Sequence, residues 1–167
     1  MNNLNDWKSL LRRLKLEHIK EVSPSFFEVS GGYQYKTAPY SDKTANALTA
    51  AVVDFINYIG GGEASRINST GMPRVGNDGQ VRWTKSTTRK GIADIRGTYQ
   101  GRSLSIEVKI GADRQSEDQV KEMQRIRAAG GLYFVAKDFP SFLFWFLQTF
   151  PISVTRLHEL GYQPSNN

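Results

Sequence analysis

Four residues in the second half of this 167-residue chain have the types and spacing to hold a divalent cation beside an amine: Asp94, Glu107, Lys109 and Gln119. Residues 103–110 read Ser-Leu-Ser-Ile-Glu-Val-Lys-Ile, and side chains on a strand alternate faces with a period of two. Leu104, Ile106, Val108 and Ile110 therefore share one apolar face, while Ser105, Glu107 and Lys109 share the other. The preceding strand, 92–99, runs into Gln100-Gly101. A hairpin centred on that dipeptide sets Tyr99 against Arg102 and, continuing along the pair, Asp94 against Glu107. Directly opposed residues have Cβ atoms about 4.5–5.5 Å apart, and like charges there repel. Two carboxylates so placed call for a counter-charge, which a divalent cation supplies with Lys109 alongside. Glu-Val-Lys is also common as a solvated stripe on a strand, so the case turns on register. A slip of one residue would move Asp94 to the other face.

Downstream, Asp113-Arg114-Gln115-Ser116-Glu117-Asp118-Gln119 leads into a helix. Ser116 with Gln119 three residues on is a capping box, which accounts for both residues structurally. A Gln at that end of a helix also reaches over the neighbouring strand and can orient a water or a phosphate oxygen, so the two roles are compatible.

Composition narrows the chemistry. There is no cysteine, which excludes disulfides, thiolate catalysis and Cys-ligated metal sites. Two histidines, His18 and His158, make multi-His centres and Ser/His/Asp triads poor fits. What remains is Asp, Glu, Lys and Gln around a hard, oxygen-loving cation. The formal net charge is +6, and it is uneven: residues 66–137 hold 14 Lys/Arg against 7 Asp/Glu. A basic face attracts polyanions, of which nucleic acid is the commonest. The N-terminus lacks the apolar core of a secretory signal. The densest apolar run, 139–150, is far shorter than the ~20 residues that span a bilayer. An intracellular, cytoplasmic protein with no membrane partner is the expectation.

The elements that must position these residues follow from periodicity. Residues 6–22 read as an amphipathic helix facing a core or partner, or serving as a nucleic-acid-contacting arm. Residues 23–43 read as an irregular connector with a short hairpin. A helix is expected over 44–59, stopped by three glycines, then a strand over 63–68 and a polar loop or loose hairpin over 69–91. After the strands 92–99 and 103–110 come a helix over 117–129, a strand over 132–136 buried on both faces, and an apolar helix over 139–150. The order predicts one α/β domain behind an N-terminal extension.

Gly91-Ile92-Ala93-Asp94, Ile106-Glu107-Val108-Lys109 and the segment from Asp113 to Gln119 together resemble the PD-(D/E)xK nuclease superfamily. The closest likeness is to the virus-type replication–repair nuclease (VRR-NUC) domain. Arg66-Ile67-Asn68-Ser69-Thr70-Gly71 is similar to a further element of that branch. The resemblance implies a restriction-endonuclease-like core: a mixed four-stranded sheet, ordered αβββαβ along the chain and flanked by helices. That core would span 44–150, with a helical extension and connector over 1–43 and a C-terminal segment and tail over 151–167. It further implies that Asp94, Glu107 and the carbonyl of Val108 bind Mg²⁺ or Mn²⁺. Lys109 would hold and help activate the attacking water, and Gln119 would position that water or the metal's surroundings. Related proteins often carry a Glu in the first core helix; here Asn46 stands in its place, or Glu63 reaches in from the next strand.

In such a site Arg66, Arg74, Arg82, Lys85, Arg89, Lys90, Arg114, Lys121 and Arg125 would contact DNA phosphates, giving affinity without sequence information. Trp83 either stacks on a base or packs. No groove-reading motif is present, so cleavage that is structure-selective or non-specific is expected of an endonuclease of this kind. An exposed part of the apolar run 142–150 would suit a homodimer. The competing reading is a non-catalytic nucleic-acid-binding protein that keeps the nuclease fold.

Overall fold

The computed structural model describes residues 7–30, 39–68, 72–84 and 89–159. In chain order the elements are α1 (Trp7–Val22), α2 (Pro24–Ser30), α3 (Ala45–Tyr58), β1 (Gly62–Arg66), β2 (Met72–Val75), β3 (Val81–Thr84), β4 (Ile95–Tyr99) and β5 (Arg102–Val108). They continue with α4 (Glu117–Ala128), β6 (Leu132–Ala136), α5 (Phe139–Thr149) and α6 (Ile152–Glu159). Strands β1, β4, β5 and β6 form one sheet in that order. The first three run antiparallel and β6 lies parallel to β5, across the α4 connection, so the sheet is mixed.

The β4–β5 hairpin carries the register on which the site depends. Gln100 and Gly101 have φ of 48° and 75°. A two-residue hairpin turn of type I′ requires positive φ at both central positions, because its twist then matches that of the strands. Tyr99 pairs with Arg102 and Ile95 with Ile106. The ladder ends there, and the same register continued one step brings Asp94 level with Glu107.

Each face of the sheet has its own cover. Leu104, Ile106 and Val108 point into the main core with Ile95, Tyr99 and Ala64. There they meet Leu48, Val52, Phe55 and Ile56 of α3 and Phe139, Phe142, Leu143 and Phe146 of α5. Thr44 caps α3 and Asp138 caps α5 through their side chains. Asn57 ties α3 to β1 by bonding both the N–H and the carbonyl of Ala64. The amphipathic helix α1 buries Trp7, Leu10, Leu11 and Leu14 in the same core, with Trp7 stacked on Phe139 at 4.5 Å. On the opposite face, α4 covers a smaller cluster of Ala93, Ile126 and Tyr133.

Several expectations need revision. Part of the connector is helical: α2 begins at Pro24, where the missing N–H and fixed φ of proline suit the first helical position. Among the described residues of that connector no hairpin forms, and residues 31–38 lie outside them. The polar stretch 69–91, by contrast, meets its expectation of a loop or loose hairpin: it holds a two-stranded hairpin, β2–β3, closed at residues 76–80. β6 is an edge strand with Leu132, Phe134 and Val135 only partly buried, since among the described residues no further strand covers its open side. α5 ends at Thr149, capped by Phe150 before Pro151, and a further helix, α6, follows in the C-terminal segment. Among the described residues no helix is long and apolar enough to cross a membrane.

Candidate active site

The site forms where β4 begins and β5 ends. Because β4 and β5 are antiparallel, these ends meet at the carboxyl edge of the parallel pair β5–β6, the edge at which open α/β sheets place ligands. Asp94 sits one residue before β4. Its backbone carbonyl accepts from Ile67 N at 2.7 Å, and its Oδ2 accepts from Val108 N at 2.9 Å. Where the ladder stops, the Asp94 side chain thus takes the place of a backbone acceptor. That fixes it beside the Glu107-Val108-Lys109 run.

The polar face of β5 is not a solvated stripe. Ser105, Glu107 and Lys109 are 2%, 1% and 9% exposed, because α4 and its N-terminal loop cover them. Lys109 lies just past the strand and donates its backbone N–H to the Ala136 carbonyl at 2.9 Å. Its Nζ lies 3.2 Å from Glu107 Oε1 and 3.3 Å from Asp113 Oδ2. Gln119 does two things at once. Its Oε1 accepts from Ser116 N, and Ser116 Oγ accepts from Gln119 N, completing the capping box. Its Nε2 donates to Glu107 Oε1 at 2.5 Å. The helix cap and the grip on Glu107 are one side chain.

Gly91 brings the Asp94 loop against that helix start. Its φ is 75°, and a Cβ there would fall 2.3 Å from the Asp118 carbonyl oxygen and 2.8 Å from Gln119 N. Both are backbone atoms of the first turn of α4, so only glycine permits the approach.

The electrostatics are unbalanced. Glu107 is pushed from 4.5 up to about 7, first by burial and then by the charge of Asp94, against the opposing pull of Lys109. Burial draws Lys109 down, but its bonds to Glu107 and Asp113 outweigh this and leave it above the ordinary lysine value. Lys109 is therefore a fixed ammonium, suited to stabilising negative charge and not to accepting a proton. Glu107 Oε2 is buried without a hydrogen-bond partner among the described residues. A buried acceptor left open beside a second carboxylate is a seat for a cation or a proton. Among the described residues no three His, Asp or Glu side chains form a ligand group. Two carboxylates and a carbonyl are nevertheless a donor set that suits Mg²⁺, which keeps several waters and leaves positions for phosphate oxygens.

Neither proposed extra ligand reaches this point. Glu63 pairs with Thr98, four positions from the Asp94 level, or about 13 Å along the strand at ~3.3 Å per residue. Asn46 lies exposed in the first turn of α3, the helix that covers the opposite face. The structure also adds a residue that the sequence reading passed over. Tyr133 of β6, opposite Ser105 and 4% exposed, lies under α4, and the charges of Glu107 and Asp94 act on its hydroxyl. A buried aromatic on an apolar strand gave no signal of this in the sequence.

Of the basic residues, Arg114 lines a pocket of about 260 Å³ beside Lys109, with Asp113, Gln115, Val135 and Lys137. Arg89 and Arg125 are tied to Glu122 of α4 at 3.5 and 2.7 Å, alongside Arg96 at 2.8 Å. Arg74 and Arg82 oppose each other on the β2–β3 hairpin, and Arg82 is paired with Asp78. Arg66, Lys90 and Lys121 are exposed. Lys85, residues 69–71 and the side chain of Trp83 lie outside the described residues. Phe144 is exposed on α5, while Trp145 stacks on Phe134 at 4.5 Å. The chain matches no protein-family model, and no curated protein matches its sequence significantly.

Proposed function

We propose that this protein is a metal-dependent DNA nuclease of the PD-(D/E)xK type, built on a restriction-endonuclease-like core and most similar to VRR-NUC domains. The reading rests on one observation: Asp94, Lys109 and Gln119 gather around Glu107, a buried carboxylate that keeps one oxygen open, the four residues coming from three separate stretches of chain. Asp94, Glu107 and the Val108 carbonyl would hold Mg²⁺ or Mn²⁺. When bound, that cation supplies Lewis-acid chemistry, lowering the pKa of a coordinated water and offsetting phosphate charge.

The chain's own groups do the rest. Gln119 fixes Glu107 through Oε1 and leaves Oε2 for the ligand role. The Lys109 ammonium, held 3.2 Å from Glu107, faces the place where negative charge develops as water oxygen bonds to phosphorus and the leaving oxygen departs. Arg114 and Lys137, beside Lys109, attract the phosphate backbone. The sequence carries no groove-reading motif, which favours structure-selective or non-specific cutting.

The test is cleavage of supercoiled plasmid and branched DNA with Mg²⁺ or Mn²⁺. Wild-type protein should cut. Lys109→Ala and Asp94→Asn should each lose about 10²–10³-fold in rate, the scale on which single stabilising groups act. Tight DNA binding with no cleavage under either metal would instead establish the non-catalytic DNA-binding reading.

A further inference from the structure

Arg96 Nε, Glu107 Oε2, Gln115 Nε2 and Tyr133 Oη are buried polar atoms without hydrogen-bond partners among the described residues. They gather on one side of the sheet. Arg96 pairs with Ser105 across β4–β5, and Ser105 with Tyr133 across β5–β6, so these three form one row. Glu107 and Val135 form the next row toward the carboxyl edge. Native proteins leave few buried polar groups unmet, and a local group of them marks a place where something outside the chain completes the bonding.

Tyr133 is the informative member. Its ring packs with Ala93, the residue before Asp94, and with Ile126 of α4. Adjacent strands lie about 4.8 Å apart. From β6 the phenol lies beside the small Ser105 side chain, close enough for the charges of Glu107, Asp94 and Glu122 to act on its hydroxyl. The Gln115 amide adjoins that hydroxyl, yet neither Tyr133 Oη nor Gln115 Nε2 completes a bond. Phenylalanine would fill the same space without the cost of a buried, unmet hydroxyl, which runs to about 1–3 kcal/mol. The hydroxyl is thus not explained by packing.

We infer that Tyr133, seconded by Gln115, is a positioning residue for the candidate site: its unmet hydroxyl would hold a water of the divalent cation that the open oxygen of Glu107 takes up. This rests on the proposed metal site but not on the nature of the reaction. Groups of this kind, one step behind the ligands, commonly carry 10–100-fold in metal affinity or activity.

The experiment compares wild type, Tyr133→Phe and Gln115→Ala by Mn²⁺ calorimetry, thermal melting and DNA cleavage. Tyr133→Phe should weaken Mn²⁺ binding about tenfold and lower kcat to a similar degree. Its KM for DNA should be unchanged, and its metal-free melting temperature equal or higher. Gln115→Ala should move the same readouts by less. A Tyr133→Phe protein within twofold of wild type in Mn²⁺ affinity overturns the inference, whether or not its melting temperature falls. If wild type binds Mn²⁺ but cuts no DNA, the nuclease reading fails, while weaker Mn²⁺ binding by Tyr133→Phe still supports this one. If wild type cuts DNA and Tyr133→Phe matches it in both affinity and kcat, this inference alone fails. A wild type that binds no Mn²⁺ overturns both.

Discussion

Two glutamates lie buried on the same side of the sheet, and their surroundings are opposite. Glu122, 4% exposed, has both oxygens occupied: Arg125 donates to each, and Arg96 reaches Oε1 at 2.8 Å with Arg89 at 3.5 Å from Oε2. Hydrogen bonding from Arg125, strengthened by the charges of all three arginines, outweighs burial and holds it below the ordinary carboxylate range. Glu107, 1% exposed, has both of its donors, Lys109 and Gln119, on Oε1 and none on Oε2. A second carboxylate stands beside it, its one cation is shared with Asp113, and it is pushed up to about 7. Burial alone does not mark a functional acid. The mark is burial with the compensation left incomplete, in a place where a ligand can complete it.

Removing Glu122 should therefore be a stability lesion. Glu122→Ala frees three guanidinium groups and should cost about 3 kcal/mol, the lower end for breaking a buried pair because its arginines are partly solvated. For a chain of this size that is a fall of roughly 6–12 °C in melting temperature. Mn²⁺ affinity of the folded protein should not move, since Glu122 is not part of the carboxylate pair. A loss of Mn²⁺ binding in this variant would merge the two regions into one site. DNA affinity at low salt should be kept or rise, because Arg89 and Arg125 lose their internal partner.

Gly91→Ala tests the joint that brings the Asp94 loop to α4. The positive φ alone costs about 1–2 kcal/mol for an L-residue, and the clash falls on backbone atoms of Asp118 and Gln119, which cannot rotate away. Overall destabilisation of about 2 kcal/mol is expected, or roughly 4–8 °C. The displaced parts are Asp94 and the Gln119 cap, so Mn²⁺ affinity should fall as well, unlike in Glu122→Ala. Equal affinities in the two variants would mean that Gly91 serves only the fold.

How much of this was legible depended on whether the determining interaction was local. The period of two along 103–110 separated core from site residues, and Gln100-Gly101 set the register. Ser116 and Gln119 announced their cap by spacing alone. The charged face of β5 gave no hint that α4 would bury it, because burial of a polar face depends on what packs there. Pro24 read as a breaker because its effect changes with position in a helix, being mild at the first residue and severe inside. Glu63 was offered as a ligand on the strength of its strand, but proximity depends on its level along that strand, and pairing with Thr98 puts it at the wrong end. Tyr133 was invisible for a related reason: its place beside Ser105 is set by the pairing of β6 with β5, which are distant in the sequence.

The smallest effect is the most discriminating. In the unfolded chain Glu107 releases its proton near pH 4.5; in the folded protein it keeps it to about pH 7. Between those values the folded state binds more protons, so this group makes stability fall as pH rises, with the full penalty present above about 7. Glu122 has the opposite sign: its contribution is present above the ordinary carboxylate pKa and lost only as pH falls below it, so it adds no slope in this window. Glu107→Gln removes the ionisation. Without metal it should melt about 2–4 °C above wild type at pH 8, on the order of 1 kcal/mol once the lost Lys109 pair is discounted, and show no gain near pH 4. Millimolar Mg²⁺ or Mn²⁺ favours the ionised carboxylate and should reverse the order at pH 8, lifting wild type above the variant. If Glu107→Gln instead melts lower than wild type at pH 8 without metal, the Lys109 pair outweighs burial and the charge of Asp94. Glu107 would then be as fully compensated as Glu122, and the physical case for a cation at this site would be lost.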